Sequence, residues 1–424
     1  HSSSSCAFTA ECATVAALKD TSGVDCQLGG GPVRDDRALS SIACGYIFLY
    51  ASIGLLVPLA SPALTAVGFA TATVGGLWAV RACSALLSPV LWGLLADRSR
   101  HRQLAPGMSL CAGGMMLASL GGLNGTSPHW LSVLAFLGSG LVGAASASLL
   151  DGLTLARLEG ARHRYGGIRL FGALGFGIAA YTASEAAANG WLVVKASTIF
   201  PLAGALQVLA AVFVVVVPAT AMAPATARPP LLTVLRQPGL RSLALLGILH
   251  WSSHGAYHTF LMRLGELRGV GERAVGLALT TAILSEVLVL RVSAPLLARW
   301  SREQLLLFVY AITTIRWAGL ASSTGLLSFV CLQLLHGASF ALFHATAVTL
   351  VADRAPETSR QSLQGLFASL VYGLGTALGA YVAGMCLERG SGETGTWGAM
   401  TGLAAIPLVV TAARRCRRQR SRAR

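Results

Sequence analysis

Charge is what this sequence has least of: Asp, Glu, Lys and Arg together make up 12% of its 424 residues. A soluble globular chain carries about 25%, so the polar side chains needed to coat a water-soluble fold are missing. Lysine occurs only as Lys19 and Lys195, and the remaining basic residues are arginines. Enzyme signatures are lacking too. There is no Walker loop, no His-Glu pair of the zincin type and no Gly-x-Ser-x-Gly elbow with a credible triad, which sets aside nucleotide-driven and common hydrolytic chemistry and implies no cofactor. The nine cysteines are an odd number, and Cys44, Cys83, Cys111, Cys331 and Cys386 lie in apolar runs, where Cys acts as a small apolar residue. No disulfide framework is expected.

Apolar side chains fill the gap, at 54% of the chain with a mean hydropathy of +0.65. A helix needs about 20 residues to cross a ~30 Å hydrocarbon core. Runs of that order lie at 41–60, 72–96, 104–124, 131–155, 167–187, 193–217, 242–264, 274–298, 303–323, 325–352, 361–387 and 395–414. They predict an all-α polytopic membrane protein with twelve transmembrane helices. Lipid requires each backbone group to be paired within its own segment, and the alternation of a barrel strand is missing.

Arginine placement sets the sidedness, because basic loops stay in the cytoplasm. With both termini inside, the inner segments hold 23 basic and 10 acidic residues and the outer loops five of each. Arg81, Asp151, Arg169, Glu286, Arg291 and Arg316 remain within or at the ends of spans. The formal charge of +15, which alone would suggest nucleic acid, thus reads as a topology signal, and the expected partner is the lipid bilayer of a plasma or organelle membrane. Residues 1–40 read as a solvated, disordered cytosolic tail without the apolar core of a signal peptide, and residues 415–424 as an Arg-rich cytosolic tail. A start at His1 reads as a fragment or processed form. The sequon Asn124-Gly125-Thr126 sits in a short outer loop close to the membrane and is expected to be unused.

Two internal echoes divide the chain. Leu94 to Arg100, LLADRSR, pairs with Leu296 to Arg302, LLARWSR, and Leu170 to Gly177, LFGALGFG, pairs with Leu366 to Gly373, LFASLVYG. The offsets, 202 and 196, predict two pseudo-symmetric six-helix bundles at 41–217 and 242–414. Between them, 218–241 carries Pro218, Pro224, Pro229, Pro230 and Pro238 and reads as a cytosolic linker.

Gly93-Leu94-Leu95-Ala96-Asp97-Arg98-Ser99-Arg100, directly after span 2, resembles the cytoplasmic loop motif of the major facilitator superfamily. The stretch Tyr165 to Gly175 (YGGIRLFGALG), Leu335-His336-Gly337-Ala338-Ser339-Phe340, the aromatic start of span 1 (Tyr46, Phe48, Tyr50) and Arg81 resemble its oligosaccharide and nucleoside proton symporters and their eukaryotic relatives of the domain-containing protein 6 type. The resemblance covers about residues 41–412. It implies that Asp97, Arg98 and Arg102 set an inner gate. It also implies that Asp151 and Arg169, which match a carboxylate and an arginine of the sugar symporters, bind substrate hydroxyls, although the pair could instead anchor two helix ends. Glu286, Arg316 and His336 resemble the proton-coupling cluster of the lactose permease type. Where that permease has a second carboxylate three residues after the histidine, this chain has Ser339, which leaves uniport or another coupling route open.

The residues support the same positions independently. A charge in hydrocarbon is normally turned toward a partner or a watery cavity. Glu286 lies too deep in span 8 to snorkel, with Arg316 and His336 as the expected partners. Burial and a neighbouring cation act in opposite senses on a carboxyl, so a group so placed can change protonation as a cavity switches sides. His250, His254 and His258 follow at steps of four on one helix face. No Cys or carboxylate completes a ligand set beside them and His344 is a weak fourth, so no metal site is expected. The stripe suits hydrogen bonding to a polar solute or contact between helices.

These features predict a secondary active transporter that moves a small polar metabolite (a saccharide, nucleoside or organic anion) by alternating access, with protons as a candidate co-substrate. Asp151, Arg169, His250, His254, His258, Tyr46 and Tyr50 are the expected solute contacts. A transporter-like receptor or scaffold is the rival, disfavoured by short, net-neutral outer loops that offer a partner little surface.

Overall fold

A computed structural model describes residues 36–89, 91–92, 95, 104–158, 165–217, 238–354 and 366–422. Apolar sequence becomes helix throughout, and no strand occurs among the described residues, as expected where water cannot satisfy an open backbone. The first half supplies α1 (Asp36–Thr65), α2 (Thr71–Ala85), α3 (Ala105–Ser119), α4 (His129–Gly143), α5 (Ser146–Arg157), α6 (Tyr165–Ala188) and α7 (Ala196–Val215). The second supplies α8 (Pro238–Ser252), α9 (Gly255–Arg268), α10 (Glu272–Arg299), α11 (Arg302–Ser322), α12 (Gly325–Cys331), α13 (Phe343–Arg354), α14 (Gly375–Glu388) and α15 (Gly392–Arg422).

Eight helical stretches among the described residues are long and apolar enough to cross a membrane. Four of the twelve expected spans are not among them. In two of these, α2 and α3 are 15 residues long and cover only part of the runs at 72–96 and 104–124. The run at 242–264 is divided between α8 and α9 at Ser253 and His254. The fourth, at 167–187, lies within the 24-residue α6.

Several runs that read as continuous are interrupted. After α12 the chain tightens into a 3-10 turn at Leu332–Leu335 and widens into a π-helical turn at Gly337–Leu342 before α13. A second π-helical turn, Ser369–Leu374, precedes α14. Such turns are often found at functional sites. The first is held by α10: Gly337 N–H donates to Ser285 Oγ at 3.0 Å, and that hydroxyl donates to the Leu334 carbonyl at 2.5 Å.

Close approach explains two of the glycines. A Cβ on Gly75 of α2 would strike the backbone of Ala380 and Gly384 in α14, and one on Gly255 would strike the backbone of Gly379. Small residues let helices meet backbone to backbone. The first contact joins the two halves, as does α6 against α10, where Gly276 packs on Ser184. A continuous apolar core including Leu59, Phe136, Phe200, Phe260, Trp317 and Trp397 draws on both halves. Trp317 and Trp397 stack at 5.3 Å, which sets this core toward the end of the bundle where α15 begins. The described residues from Arg37 onward form one compact unit.

Candidate functional site

Two polar clusters face each other across the halves. In the first half, α1 carries Tyr46 and Tyr50 one turn apart, α5 carries Asp151 and Thr154, and α6 carries Arg169. Tyr46 is fully buried. Its hydroxyl donates to Asp151 Oδ1 at 2.5 Å and shares a bond with Thr154 Oγ1 at 3.1 Å. Arg169 Nη2 donates to the Tyr50 hydroxyl, while Arg169 Nε lies 3.7 Å from Asp151 Oδ1. The guanidinium sits over the Tyr50 ring at 4.1 Å and near the Tyr46 ring at 5.5 Å. Both charged side chains keep 33% of their surface exposed. They are therefore oriented by the buried Tyr46 and the part-buried Tyr50 yet still reachable by a solute, and a carboxylate beside a guanidinium can grip hydroxyls or an anion.

In the second half, α11 buries Arg316 completely. Its Nη1 contacts His336 Nδ1 at 3.0 Å and donates to Ser339 Oγ at 3.2 Å, and its Nη2 donates to Gln333 Oε1 at 2.5 Å. Its guanidinium also lies over the rings of Trp317 at 4.2 Å and Tyr257 at 4.7 Å. Glu286 of α10 approaches this group at His336, whose Nε2 is 4.0 Å from Glu286 Oε2. The expected trio is thus brought together as a chain, Glu286 to His336 to Arg316, and the 3-10 and π-helical turns place Gln333, His336 and Ser339 around one buried cation. Glu286 keeps 22% of its side chain exposed.

The clusters stand on helices that pack together: α6, which carries Arg169, meets α10, which carries Glu286, where a Cβ on Gly177 would touch Ile283 and one on Gly276 would touch Ser184. His344 Nδ1 hydrogen-bonds the Tyr372 hydroxyl at 2.5 Å, and Tyr372 packs on Trp251 at 4.4 Å. Tyr372 was missed by sequence reasoning, although it stands in the repeat where the first half has Phe176, an added hydroxyl that could have marked it. Gln333 was also missed; its signal is a lone amide three residues before His336 in an apolar run.

The histidine stripe divides. His250 and His254 are fully buried within the second half. His250 Nε2 donates to the Ser339 carbonyl at 3.0 Å, and His254 Nδ1 lies 3.1 Å from the His250 carbonyl. His258 is half-buried, beside Trp251 at 5.7 Å and Tyr257 at 5.2 Å. Asp97, Arg98 and Arg102 lie outside the described residues.

The halves are latched at the end where α15 begins. No side chain of α2's own N-cap residue, Ala70, caps that helix. Glu388 of α14 does so instead, accepting from Thr71 Oγ1 at 2.7 Å and from Ala72 N–H at 3.3 Å, where the helix dipole favours a carboxylate. At the same end Arg273 of α10 grips Glu185 of α6 through Nε and Nη2, both at 2.7 Å.

The chain resembles known transporters over most of its length. It is 27% identical over 352 residues to the maltose permease of Geobacillus stearothermophilus, covering 81% of this chain and 86% of that one. It is 26% identical over 351 residues to a protein of Escherichia coli (strain K12) named "Probable 3-phenylpropionic acid transporter", covering 82% and 90%. Its fold matches the crystal structure of the nucleoside transporter NupG with a TM-score of 0.73 at 17% identity, over 89% of this chain and 98% of that one. It also matches a bacterial homolog of the human lysosomal transporter Spinster, inward-facing and occupied, with a TM-score of 0.68 at 14% identity, over 91% and 96%. The family described as MFS_1 like matches residues 39–397. The chain therefore belongs to the MFS_1 like family, and is a multi-pass membrane protein that moves small solutes as a secondary transporter.

Proposed function

We propose that the protein carries a small polar solute by rocking two six-helix bundles, 41–217 and 242–414, about the site between Asp151–Arg169 and Glu286. In this reading the twelve spans place both termini and the linker 218–241 in the cytoplasm, in a plasma or organelle membrane. Tyr46 and Tyr50 orient Asp151 and Arg169, which grip hydroxyls of a saccharide or nucleoside or the carboxylate of an organic anion. The names of the two relatives, one a sugar permease and one associated with an aromatic acid, support this range. His258, Tyr372 and His344 complete the wall, while His250 and His254 hold the second half together by hydrogen bonds.

Glu286 is the proton carrier in this account, and His336 links its protonation to the buried Arg316. Asp97, Arg98 and Arg102 keep their proposed gating role on the strength of the motif alone. The observation that carries the reading is the Asp151–Arg169 pair, one-third exposed and held by the buried Tyr46 and the part-buried Tyr50.

Uptake into proteoliposomes under an inward proton gradient, across a panel of sugars, nucleosides and organic acids, tests it. The wild type should accumulate one class above equilibrium. Glu286→Gln should only equilibrate that solute, and Asp151→Ala or Arg169→Ala should lose it. Unaltered solute affinity in the latter two removes the binding assignment, and equilibration without accumulation by the wild type replaces symport with uniport.

A further inference from the structure

We propose that the second half holds a separate binding site for a phosphate-bearing anion, at the end of the bundle where α15 finishes. A cavity of about 450 Å3 opens there between α8, α11, α13 and α15. Its lining includes Arg241, Arg302, Arg354, Arg414 and Arg418, against the single carboxylate of Glu303. Five arginines from four helix ends converge on one concavity whose lining includes neither Asp151, Arg169 nor Glu286.

Part of this charge is already paired. Arg418 Nη1 lies 3.1 Å from Glu303 Oε2, and Arg302 Nε lies 3.6 Å from Asp353 Oδ2. Arg414 donates to the Ser242 hydroxyl. Arg354 lies against Gly239, where a Cβ would collide with its guanidinium. Arg241, Arg354 and Arg414 meet no carboxylate among the described residues. Guanidinium forks match phosphate oxygens bidentately, and a basic pocket between helices at a membrane surface suits an anionic headgroup.

A second observation points to a ligand independently of the charge. Tyr310 lines the cavity and is 1% exposed, and its hydroxyl has no hydrogen-bond partner among the described residues. A buried hydroxyl is costly unless bonded, and an oxygen of a bound anion reaching the cavity floor would satisfy it. Leu245 lies beside Arg241 and is 57% exposed, an apolar surface along which a lipid chain could leave the site. The chemistry recognised is a phosphate group, carried either by a lipid or by a soluble phosphorylated solute.

The test is direct binding to the purified full-length protein in micelles, by native mass spectrometry with titration. The probes are dioctanoyl phosphatidic acid, dioctanoyl phosphatidylcholine and inositol hexakisphosphate. At least one of the two anionic probes should bind saturably and more tightly than phosphatidylcholine. A basic residue near a membrane surface contributes about fivefold in affinity, so the Arg241→Gln/Arg354→Gln double variant should weaken that binding about 25-fold. Tyr310→Phe, which deletes only an unpartnered hydroxyl, should remain folded and weaken it about fivefold. Tighter binding of phosphatidic acid identifies a lipid as the source, and tighter binding of inositol hexakisphosphate identifies a soluble phosphate. Equal binding of phosphatidylcholine and phosphatidic acid with no binding of inositol hexakisphosphate overturns the site. So does anion binding that is unchanged in Tyr310→Phe and in the double variant.

Discussion

Replacing Gln333 with Leu probes how a fully buried guanidinium survives without a carboxylate. Gln333 has no exposed surface, and its Oε1 accepts from Arg316 Nη2 at 2.5 Å while its Nε2 donates to the Phe329 carbonyl at 2.9 Å. Leu fills a similar volume but offers neither bond. A hydrogen bond to a charged group contributes about 1.5–3 kcal/mol net and a neutral one about 0.5–1.5 kcal/mol, so Gln333→Leu should destabilise by roughly 2–4.5 kcal/mol. His336 and Ser339 already bond to Nη1, and Arg316 Nε has no hydrogen-bond partner among the described residues, so Gln333 Oε1 is the acceptor that holds Nη2. The double variant Arg316→Met/Gln333→Leu removes the charge together with its acceptor. It should be less destabilised than the sum of the single variants by about 1–3 kcal/mol. Denaturant unfolding in micelles, followed by tryptophan fluorescence, measures all three. A single variant within about 0.5 kcal/mol of wild type, or strict additivity in the double variant, would refute the reasoning.

Tyr46→Phe deletes the hydroxyl that orients Asp151 and should raise the apparent KM for the transported solute about tenfold without loss of folded protein; uptake kinetics with an unchanged KM would contradict this. Arg268 is 2% exposed and pairs with Glu393 at 2.5 Å, so Glu393→Gln, which strands a buried cation, should cost about 3–5 kcal/mol. The Arg268→Met/Glu393→Gln double variant should recover most of that loss in the same unfolding assay.

The lengths of the apolar runs and their scarce charges were enough to read a helical membrane protein, because a bilayer imposes both constraints residue by residue. The neighbourhood of Asp151 and Arg169, eighteen residues apart, was legible through resemblance to the sugar symporters. The steps of three linking Gln333, His336 and Ser339 were visible in the sequence, but their convergence on Arg316 depends on a π-helical turn. That turn has no local signature in Gly337 to Leu342; it is fixed by Ser285 on another helix. Glu286 was expected to meet both Arg316 and His336, and the fold routes it through His336. Glu388 capping α2 from the other half was not legible either, since no local pattern pairs residues more than three hundred positions apart. Sequence periodicity reports which face a residue occupies, and only tertiary packing decides which distant face it meets.

The central claim is that the two halves separate at the latched end during transport. Thr71 and Glu388 hold that end at 2.7 Å, so cysteines at these two positions in a cysteine-depleted background should form a reversible cross-link. With the solute identified by the uptake panel, oxidation should abolish flux in proteoliposomes and reduction should restore it. Full flux through the quantitatively cross-linked protein would contradict alternating access about this site.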